Sequence, residues 1–270
     1  MEFIAEIGLN HQGNLSLAKE MVDSAAESGA TTVKFQTYYP EERVSEGHPI
    51  WDILAQCQLT DEEFLALSDH CLEREVLFLS TVFGEKSLKT AVSLGMTRLK
   101  IASFSLTDLN LISLALEEKM NLVVSTGASN FHEIVRCSSL MASSSETHVF
   151  LHCISQYPVA VEQDLHLINI RKIREATGLD TGFSDHTVGE AAFFWAALAG
   201  ASVFEKHFTT DNQLDGPDQS FSAGPDVFSA AVANAKRGGA ILGTQRDNFY
   251  PHESDILPFK NYTEVSAAGL

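Results

Sequence analysis

The sequence predicts an α/β fold, a single-domain (β/α)8 TIM barrel, and three observations lead to this prediction. Short apolar or β-branched segments alternate with segments of helical periodicity, about eight times over roughly 250 residues. Polar side chains follow each apolar segment. No Gly-x-Gly-x-x-Gly follows the first strand, which disfavours the alternative, a doubly wound open sheet. We expect the barrel to occupy residues 1–244, followed by an irregular tail at 245–270.

The first half of the chain supplies five predicted strands, at 3–7, 31–37, 76–81, 97–102 and 121–125. Helices are predicted between them. Leu17, Met21, Val22 and Ala25 recur at helical spacing and end at Gly29, a helix stop. Further helices are predicted at 84–94 and 107–119.

The strongest helix signal begins at residue 59. Thr60 and Glu63 fit a capping box, and Leu59 and Phe64 fit a hydrophobic staple. The polar connection that precedes it, 38–58, is expected to place a short helical turn near Trp51 over the mouth of the barrel.

The second half continues the alternation, with strands at 148–153, 181–184 and 202–207. Helices are predicted at 132–142, 165–176 and 225–242. The segment 188–200 is rich in Ala, Phe and Trp and ends at Gly200, which is placed like a helix C′ residue.

Composition excludes several classes of function. The net charge of −18 and the absence of a Lys/Arg cluster disfavour nucleic acid and anionic membranes as partners. The four cysteines form no Cys-x-x-Cys pair, which indicates a reducing compartment. The N-terminus enters a strand at once, without a signal peptide or an apolar span, so we expect a cytoplasmic protein.

Two histidines, His186 and His207, close the seventh and eighth predicted strands. The ends of parallel neighbouring strands meet at one side of a sheet, so these imidazoles are expected to converge. Alternation places Ser184 beside His186 and Glu205 beside His207, with the intervening residues on the other face. The pair, with a nearby carboxylate, could hold a divalent metal with open positions. Alternatively, both histidines are satisfied by hydrogen bonds beneath a loop.

Two lysines, Lys34 and Lys100, interrupt otherwise apolar strands. They could snorkel to water, form a Schiff base or neutralise an anion, and nearby hydroxyls favour an anion such as phosphate or carboxylate. Glu6 is either an acid that orients water or a partner for a lysine. Other polar residues expected at the mouth are Asn10, His11, Gln36, Ser80, Thr81, Ser103, Ser125, Thr126, His152, Ser155, Tyr157, Ser184 and Asp185.

The motifs, in order along the chain, resemble those of the sialic acid synthase family. They are AEIGLNH at 5–11, VKFQT at 33–37, STG at 125–127, LHC at 151–153 with Ser155, Tyr157 and Pro158, GFSDHT at 182–187, EKHFT at 205–209 and GPD at 216–218. This resemblance implies a barrel that condenses phosphoenolpyruvate with an open-chain N-acyl amino sugar such as N-acetylmannosamine. The products would be a nonulosonic acid and phosphate.

The resemblance also implies roles for individual residues. His186 and His207 would bind a divalent metal, Mn²⁺ in the first place, with Mg²⁺ or Co²⁺ as alternatives. The residues that would bind phosphoenolpyruvate are Lys34, Thr81, Lys100, Ser103, Ser125, Ser155 and Ser184. Those that would serve the sugar, the water on the metal and proton transfer are Glu6, Tyr157, Glu205 and Asp218.

The sequence departs from the family pattern at three places. Ser103-Phe104-Ser105 stands where the family usually has Ser-Gly-Glu, and Val82 replaces a proline. The chain reaches Leu270 without the small antifreeze-like domain that in this family lends an arginine to the partner's sugar site. The partner expected here is therefore a second copy or another protein that supplies that domain.

Other functions remain alternatives at this point. A barrel that binds phosphoenolpyruvate or the sugar without catalysis, or only with a partner, is one. A Schiff-base aldolase that uses Lys34 or Lys100 is a more distant one. A metallohydrolase is disfavoured because no His-x-His follows the first strand and no Asp ends the eighth.

Overall fold

The chain forms eight parallel strands, and a computed structural model describes residues 1–244 and 249–260. The strands are β1 (Glu2–Glu6), β2 (Thr32–Thr37), β3 (Leu77–Val82), β4 (Arg98–Ile101), β5 (Asn121–Ser125), β6 (His148–Cys153), β7 (Asp180–Asp185) and β8 (Val203–His207). They pair in chain order, and β8 pairs with β1 to close the barrel. The predicted (β/α)8 barrel is confirmed.

Ten helices lie among the described residues: eight surround the barrel, and two short ones, the second and third in chain order, lie at its mouth. They are α1 (Leu15–Glu27), α2 (Pro40–Arg43), α3 (Trp51–Cys57), α4 (Asp61–Glu73), α5 (Glu85–Ser93), α6 (Leu109–Glu117), α7 (Phe131–Met141), α8 (Ile168–Thr177), α9 (Ala191–Leu198) and α10 (Pro225–Leu242). The predicted turn near Trp51 is α3, whereas α2 was not predicted. None of the helices described is long and apolar enough to cross a membrane.

Local signals set several of these boundaries. The Thr60 hydroxyl accepts from the Glu63 amide at 3.2 Å, and the Glu63 carboxylate accepts from the Thr60 amide at 2.8 Å, which confirms the capping box of α4. The helix predicted from residue 165 begins three residues later. A 3-10 turn occupies Glu162–Leu165, and His166 has a left-handed backbone with φ 44°.

Apolar side chains fill the barrel beneath its mouth. Ile4, Leu79, Val123 and Val203 are almost fully buried and belong to one cluster with Val149 and Leu151. Ile4, Leu79, Val123 and Val203 each lie two residues before a polar residue of the mouth. Strand alternation therefore directs the apolar side chain and the polar one that follows it to the interior of the barrel. The core below the mouth is therefore packed.

Irregular segments complete the mouth. A 3-10 turn at Ser103–Ser105 follows β4, and the long β8–α10 connection contains another at Gln219–Phe221. Of the predicted irregular tail, the described residues 249–260 form two 3-10 turns, at Pro251–Glu253 and Leu257–Phe259. The rest of the tail lies outside the described residues.

Candidate active site

A cavity of about 590 Å³ opens at the carboxyl ends of the strands. Its walls combine residues from the strand ends with residues from the connections that follow them. The lining includes all the residues to which the family resemblance gives a role: Glu6, Lys34, Thr81, Lys100, Ser103, Ser125, Ser155, Tyr157, Ser184, His186, Glu205, His207 and Asp218. Of the other polar residues expected at the mouth, Gln36 lines the cavity, whereas Asn10, His11, Ser80, Thr126, His152 and Asp185 do not. Strands at all sides of the barrel thus contribute to one polar site.

An ion pair lies at the floor of the cavity. Lys34 Nζ donates to Glu205 Oε2 at 2.5 Å and lies 3.6 Å from Glu6 Oε2. Burial alone would lower the pKa of Lys34, but the two carboxylates outweigh it and raise this pKa. Burial would raise the pKa of Glu205, but Lys34 and Lys100 outweigh it and hold this pKa well below its usual range. Lys34 and Glu205 are therefore charged together.

Lys100 lies in a different environment. Its Nζ donates to Ser125 Oγ at 2.6 Å and to the Ile101 carbonyl at 3.0 Å, and both of these partners are uncharged. Burial lowers the pKa of Lys100 to about 8, although the Glu205 carboxylate acts in the opposite direction. Within residues 1–244 and 249–260 no carboxylate contacts this buried ammonium group, which favours an anionic ligand.

Hydroxyl groups surround Lys100. Ser103 Oγ accepts from the Gly127 amide at 3.1 Å and lies 3.1 Å from Cys153 Sγ. Thr81, Ser125 and Ser184 also line the cavity and are buried, whereas Ser155 lies at its exposed rim. These donors beside two lysines form what we call the anion cradle: Lys34, Thr81, Lys100, Ser103, Ser125, Ser155 and Ser184.

His186 and His207 converge as the strand pattern predicts. Their ring centroids lie 5.8 Å apart, and Tyr157 packs against both. His186 Nδ1 lies 2.7 Å from the Ile154 carbonyl and must donate to it, so its Nε2 carries the lone pair. Burial, followed by the charge of His207, lowers the pKa of His186 to about 4. Burial and the nearby lysines lower the pKa of His207 to about 3. Both imidazoles are neutral at physiological pH.

These imidazoles suit a metal by their chemistry. A neutral histidine that donates from one nitrogen to a carbonyl presents the other to a cation, as His186 does. His207 Nδ1 is buried and has no hydrogen-bond partner within residues 1–244 and 249–260. In those same ranges no group of three or more His, Cys, Asp or Glu side chains is arranged to hold a metal. A cation here would have two protein ligands, and the other positions would fall to substrate and water.

Glu6 is the ionisable group best suited to proton transfer. Burial raises its pKa to about 7, more than the Lys34 charge lowers it. Oε1 accepts from Gln36 Nε2 at 2.9 Å, while no donor in the described part of the chain reaches Oε2. Lys34 Nζ lies 3.6 Å from Oε2, too far for a hydrogen bond. A buried carboxyl oxygen that accepts no hydrogen bond points to a donor supplied by substrate or water.

Asp218 reaches the cavity through the β8–α10 connection. Gln219, which is buried, accepts from the Thr209 hydroxyl at 2.5 Å and donates to the Asn10 carbonyl at 2.8 Å. Ser222 Oγ donates to the Asp218 carbonyl at 2.6 Å. Burial raises the pKa of Asp218, against the charge of Arg43. The connection is thus fastened to the β1 side of the mouth, and Asp218 is held near Glu6 and Gln36.

The cavity also contains residues that sequence reasoning did not assign to the site. Arg43, Phe83, Phe104 and Phe221 all line it. Pro40 at the first position of α2, followed by two glutamates, is a helix-start signal that could have revealed this short element. Nothing in the sequence pattern indicates that the side chain of Arg43 turns inward.

The fold and the cavity define a (β/α)8 barrel whose polar site lies where barrel enzymes carry out catalysis. Residues 21–247 match the NeuB family, and the chain belongs to this family. The predicted resemblance is confirmed.

Similar proteins agree with this assignment. The chain is 35% identical over 260 residues to an N,N'-diacetyllegionaminic acid synthase from Legionella pneumophila, a match that covers 89% of this chain and 73% of that protein. It is 31% identical over 265 residues to a pseudaminic acid synthase from Helicobacter pylori, covering 93% and 78%.

A solved structure is also closely similar. It is the N-acetylneuraminic acid synthetase from Leptospira borgpetersenii serovar Hardjo-bovis in complex with citrate, with a TM-score of 0.91 and 32% identity. The match covers 95% of this chain and 90% of that one. The relatives are thus synthases of sialic-type acids.

Proposed function

We propose that this protein condenses phosphoenolpyruvate with an N-acyl amino sugar, such as N-acetylmannosamine, in a metal-dependent reaction that yields a nonulosonic acid and phosphate. C3 of phosphoenolpyruvate forms a bond to the aldehyde carbon of the open-chain sugar, whose oxygen gains a proton. Water adds at C2 and gives up one proton, which balances the proton gained by the sugar oxygen. The C2 hydroxyl so formed then loses its proton to the leaving phosphate as the bond between C2 and the phosphate oxygen breaks, and C2 becomes a ketone. The observation that carries the proposal is the anion cradle directly beside two neutral histidines.

The anion cradle suits phosphoenolpyruvate. Two ammonium groups and several hydroxyl donors offer charge and directed hydrogen bonds to a phosphate and a carboxylate in a buried site. Among the residues that the structure describes, no carboxylate contacts Lys100, so its charge is available to the ligand. Lys34 also holds Glu205, which keeps a negative charge close to the place where the acceptor would lie.

His186 and His207 would hold the divalent cation. When bound, it would polarise the aldehyde oxygen of the acceptor. Glu6, with a pKa of about 7 because of burial, can release or accept a proton at neutral pH. Its Oε2, which accepts no hydrogen bond from the described residues, is the atom at which we place the exchange with substrate or water.

Phosphate release tests this proposal. The protein is incubated with phosphoenolpyruvate and Mn²⁺, and acceptors are scanned across N-acetylmannosamine and related 2-acetamido and 2,4-diacetamido sugars, with EDTA as the control. We expect release that requires both a sugar and the metal. Tight binding of phosphoenolpyruvate without release from any acceptor would support a barrel that only binds.

One observation favours a second candidate, a Schiff-base aldolase. The pKa of Lys100, lowered to about 8 by burial, leaves part of this lysine as a free amine at neutral pH. Lys34 is unsuited, because its carboxylate neighbours keep it protonated. Borohydride trapping of pyruvate on Lys100 in the presence of EDTA would favour the aldolase. If no trapped product forms and phosphate release requires a metal, the aldolase is excluded.

A further inference from the structure

One wall of the cavity has a composition unlike the rest. It consists of Arg43, Phe83 and Phe104, and we call it the guanidinium–aromatic wall. The Arg43 guanidinium carbon lies 4.3 Å from the centroid of the Phe83 ring, and the rings of Phe83 and Phe104 stack at 6.0 Å. The wall therefore joins a fork of N–H donors to a continuous apolar surface.

Arg43 is held in place before any ligand binds. Its Nη1 donates to Gln36 Oε1 at 2.7 Å. The preceding residue, Glu42, accepts at Oε1 from the Lys86 and Ser87 amides at 2.9 and 3.1 Å, so it caps the N-terminus of α5. This contact fixes α2 against α5. The guanidinium is thus preorganised, and its remaining N–H groups are left for another partner.

The charge of Arg43 has no ion-pair partner in contact within the described ranges. Burial lowers the pKa of its guanidinium, and the carboxylates that oppose this, Asp218 and Glu6, act without forming a salt bridge to it. A half-buried arginine of this kind is stabilised by an acceptor atom from a ligand.

Phe104 is unusually exposed for its position. Phe104 is 66% exposed although it borders a cavity. Its ring stacks on the buried Phe83 and extends the apolar surface of that residue. It stands in the 3-10 turn at Ser103–Ser105, directly after the cradle residue Ser103. An apolar ring in this place stabilises a ligand that carries an apolar group.

Barrel topology places this wall opposite the histidines. The wall belongs to the connections after β2, β3 and β4, whereas Tyr157 and His186 follow β6 and β7, and His207 ends β8. In a closed barrel of eight strands, each strand lies across from the one four positions away. An acceptor whose aldehyde lies at the histidines extends across the mouth towards Arg43 and Phe104.

From the position of the wall, in the connections across the mouth from His186 and His207, we infer that the guanidinium–aromatic wall binds the N-acyl group of the acceptor. The amide oxygen accepts from Arg43, and the acyl methyl packs on Phe104. This inference rests on the proposed function and names the part of the substrate that the wall selects.

A phosphate on the acceptor fits the wall less well. The wall has one cation, and the rest of its surface is two phenyl rings, which offer a phosphate neither charge nor hydrogen bonds. The cavity is lined by three basic residues and three acidic residues: Lys34, Lys100 and Arg43, and Glu6, Glu205 and Asp218. Phosphoenolpyruvate would engage both lysines, which leaves Arg43 for the acceptor. The wall thus selects a neutral acceptor with an acyl amide.

The test changes the wall and the acyl group together. Kinetics of phosphate release are measured for wild type, Phe104→Ala and Arg43→Met with mannosamines that carry N-acetyl, N-propanoyl and N-butanoyl groups. For Phe104→Ala we expect kcat/KM with the N-acetyl sugar to fall about tenfold, and the longer acyl chains to recover part of that loss because the ring's space is free. For Arg43→Met we expect a loss of about tenfold or more for every acyl chain. The KM for phosphoenolpyruvate should stay unchanged in both.

Phe259→Ala is the control, because Phe259 is also strongly exposed, at 76%, but lies outside the cavity. A raised KM for phosphoenolpyruvate in either variant would overturn the inference. So would a Phe104→Ala variant whose kcat/KM falls by the same factor for all three acyl chains. Wild type that strongly prefers N-acetylmannosamine 6-phosphate, with that preference lost in Arg43→Met, would also overturn it. Wild type that releases no phosphate with any sugar would contradict the proposed function itself, and this inference with it.

Discussion

Lys206 Nζ donates to Asp185 Oδ2 at 2.6 Å, on the outer face of β7 and β8. His186 directly follows β7, and His207 ends β8. Lys206 and Asp185 are almost fully buried, at 2% and 1% exposure. Lys206 also donates to the Thr187 carbonyl at 2.7 Å, and the Thr187 amide donates to Asp185 Oδ1 at 2.8 Å. The pair thus locks the backbone on both sides of His186 and ties it to the strand of His207.

Removing one member of this pair should be costly. In Asp185→Ala the Lys206 ammonium stays buried without its carboxylate, so we expect a loss of about 3–5 kcal/mol of unfolding free energy. Replacing both partners, in Asp185→Leu with Lys206→Met, removes the uncompensated charge and should recover much of that loss. Urea unfolding of the three proteins measures this. A single variant that costs less than about 1 kcal/mol would show that the pair contributes only as an exposed pair does.

Strand alternation made the inner part of the site predictable. Because side chains alternate with a period of two, the sequence alone indicates that Ser184, His186, Glu205 and His207 face one way. The Asp185–Lys206 pair on the opposite face confirms this reading. The expectation that His152 lies at the mouth rested only on its place at the end of a strand and was wrong: His152 does not line the cavity and lies 2.7 Å from the Leu165 carbonyl. Alternation accounts for this, because Leu151 points into the barrel and its neighbour His152 points outward.

Connections between elements were predictable only in part. The helix at Pro225–Leu242 and the strands at Asn121–Ser125 and His148–Cys153 have the predicted bounds, because clear start and stop residues frame them. The inward directions of Arg43 and Phe104 depend on how α2 docks on α5 and on a 3-10 turn. These are tertiary contacts between distant residues, for which neither period nor composition leaves a local signal.

The pKa of Lys100 leads to a pH dependence. Below about 8 this lysine is protonated and attracts an anion, and above that value it becomes neutral. We expect the KM for phosphoenolpyruvate to rise as pH increases beyond 8, by up to about tenfold per pH unit. Lys100→Arg stays charged and should show a KM that is flat with pH. A wild-type KM that does not change between about pH 7 and about pH 9.5 would contradict the cationic role of Lys100.

The two histidines should be required for metal binding. His186→Ala and His207→Ala each remove one of two imidazole ligands, and we expect the affinity for Mn²⁺ to fall about 100-fold or more. Titration calorimetry with Mn²⁺ measures this without depending on turnover. His132→Ala, an exposed histidine at the start of α7, is the matched control and should bind as wild type does. If His186→Ala still binds Mn²⁺ tightly and still condenses the substrates, the proposed metal site is wrong.

Gly127 closes the anion cradle, and a methyl group there should disturb it. An added Cβ would overlap Ser155 Oγ and approach Ser103 Oγ to 2.9 Å, while the Gly127 amide donates to that same Ser103 oxygen. Both hydroxyls are cradle residues, so Gly127→Ala must displace at least one of them. We expect the KM for phosphoenolpyruvate to rise about tenfold, with a stability loss of about 1–3 kcal/mol and a smaller change in the acceptor KM.

Gly224→Ala is the matched control for this variant. At Gly224 an added Cβ meets its nearest neighbour among the described residues, Asn212 Oδ1, at 3.7 Å, an ordinary contact. The backbone has φ −74°, which alanine adopts freely. It should keep the wild-type KM for phosphoenolpyruvate. If Gly127→Ala folds and binds phosphoenolpyruvate as tightly as the control, then Ser103 and Ser155 do not hold the anion, and the cradle reduces to its lysines and the hydroxyls of Thr81, Ser125 and Ser184.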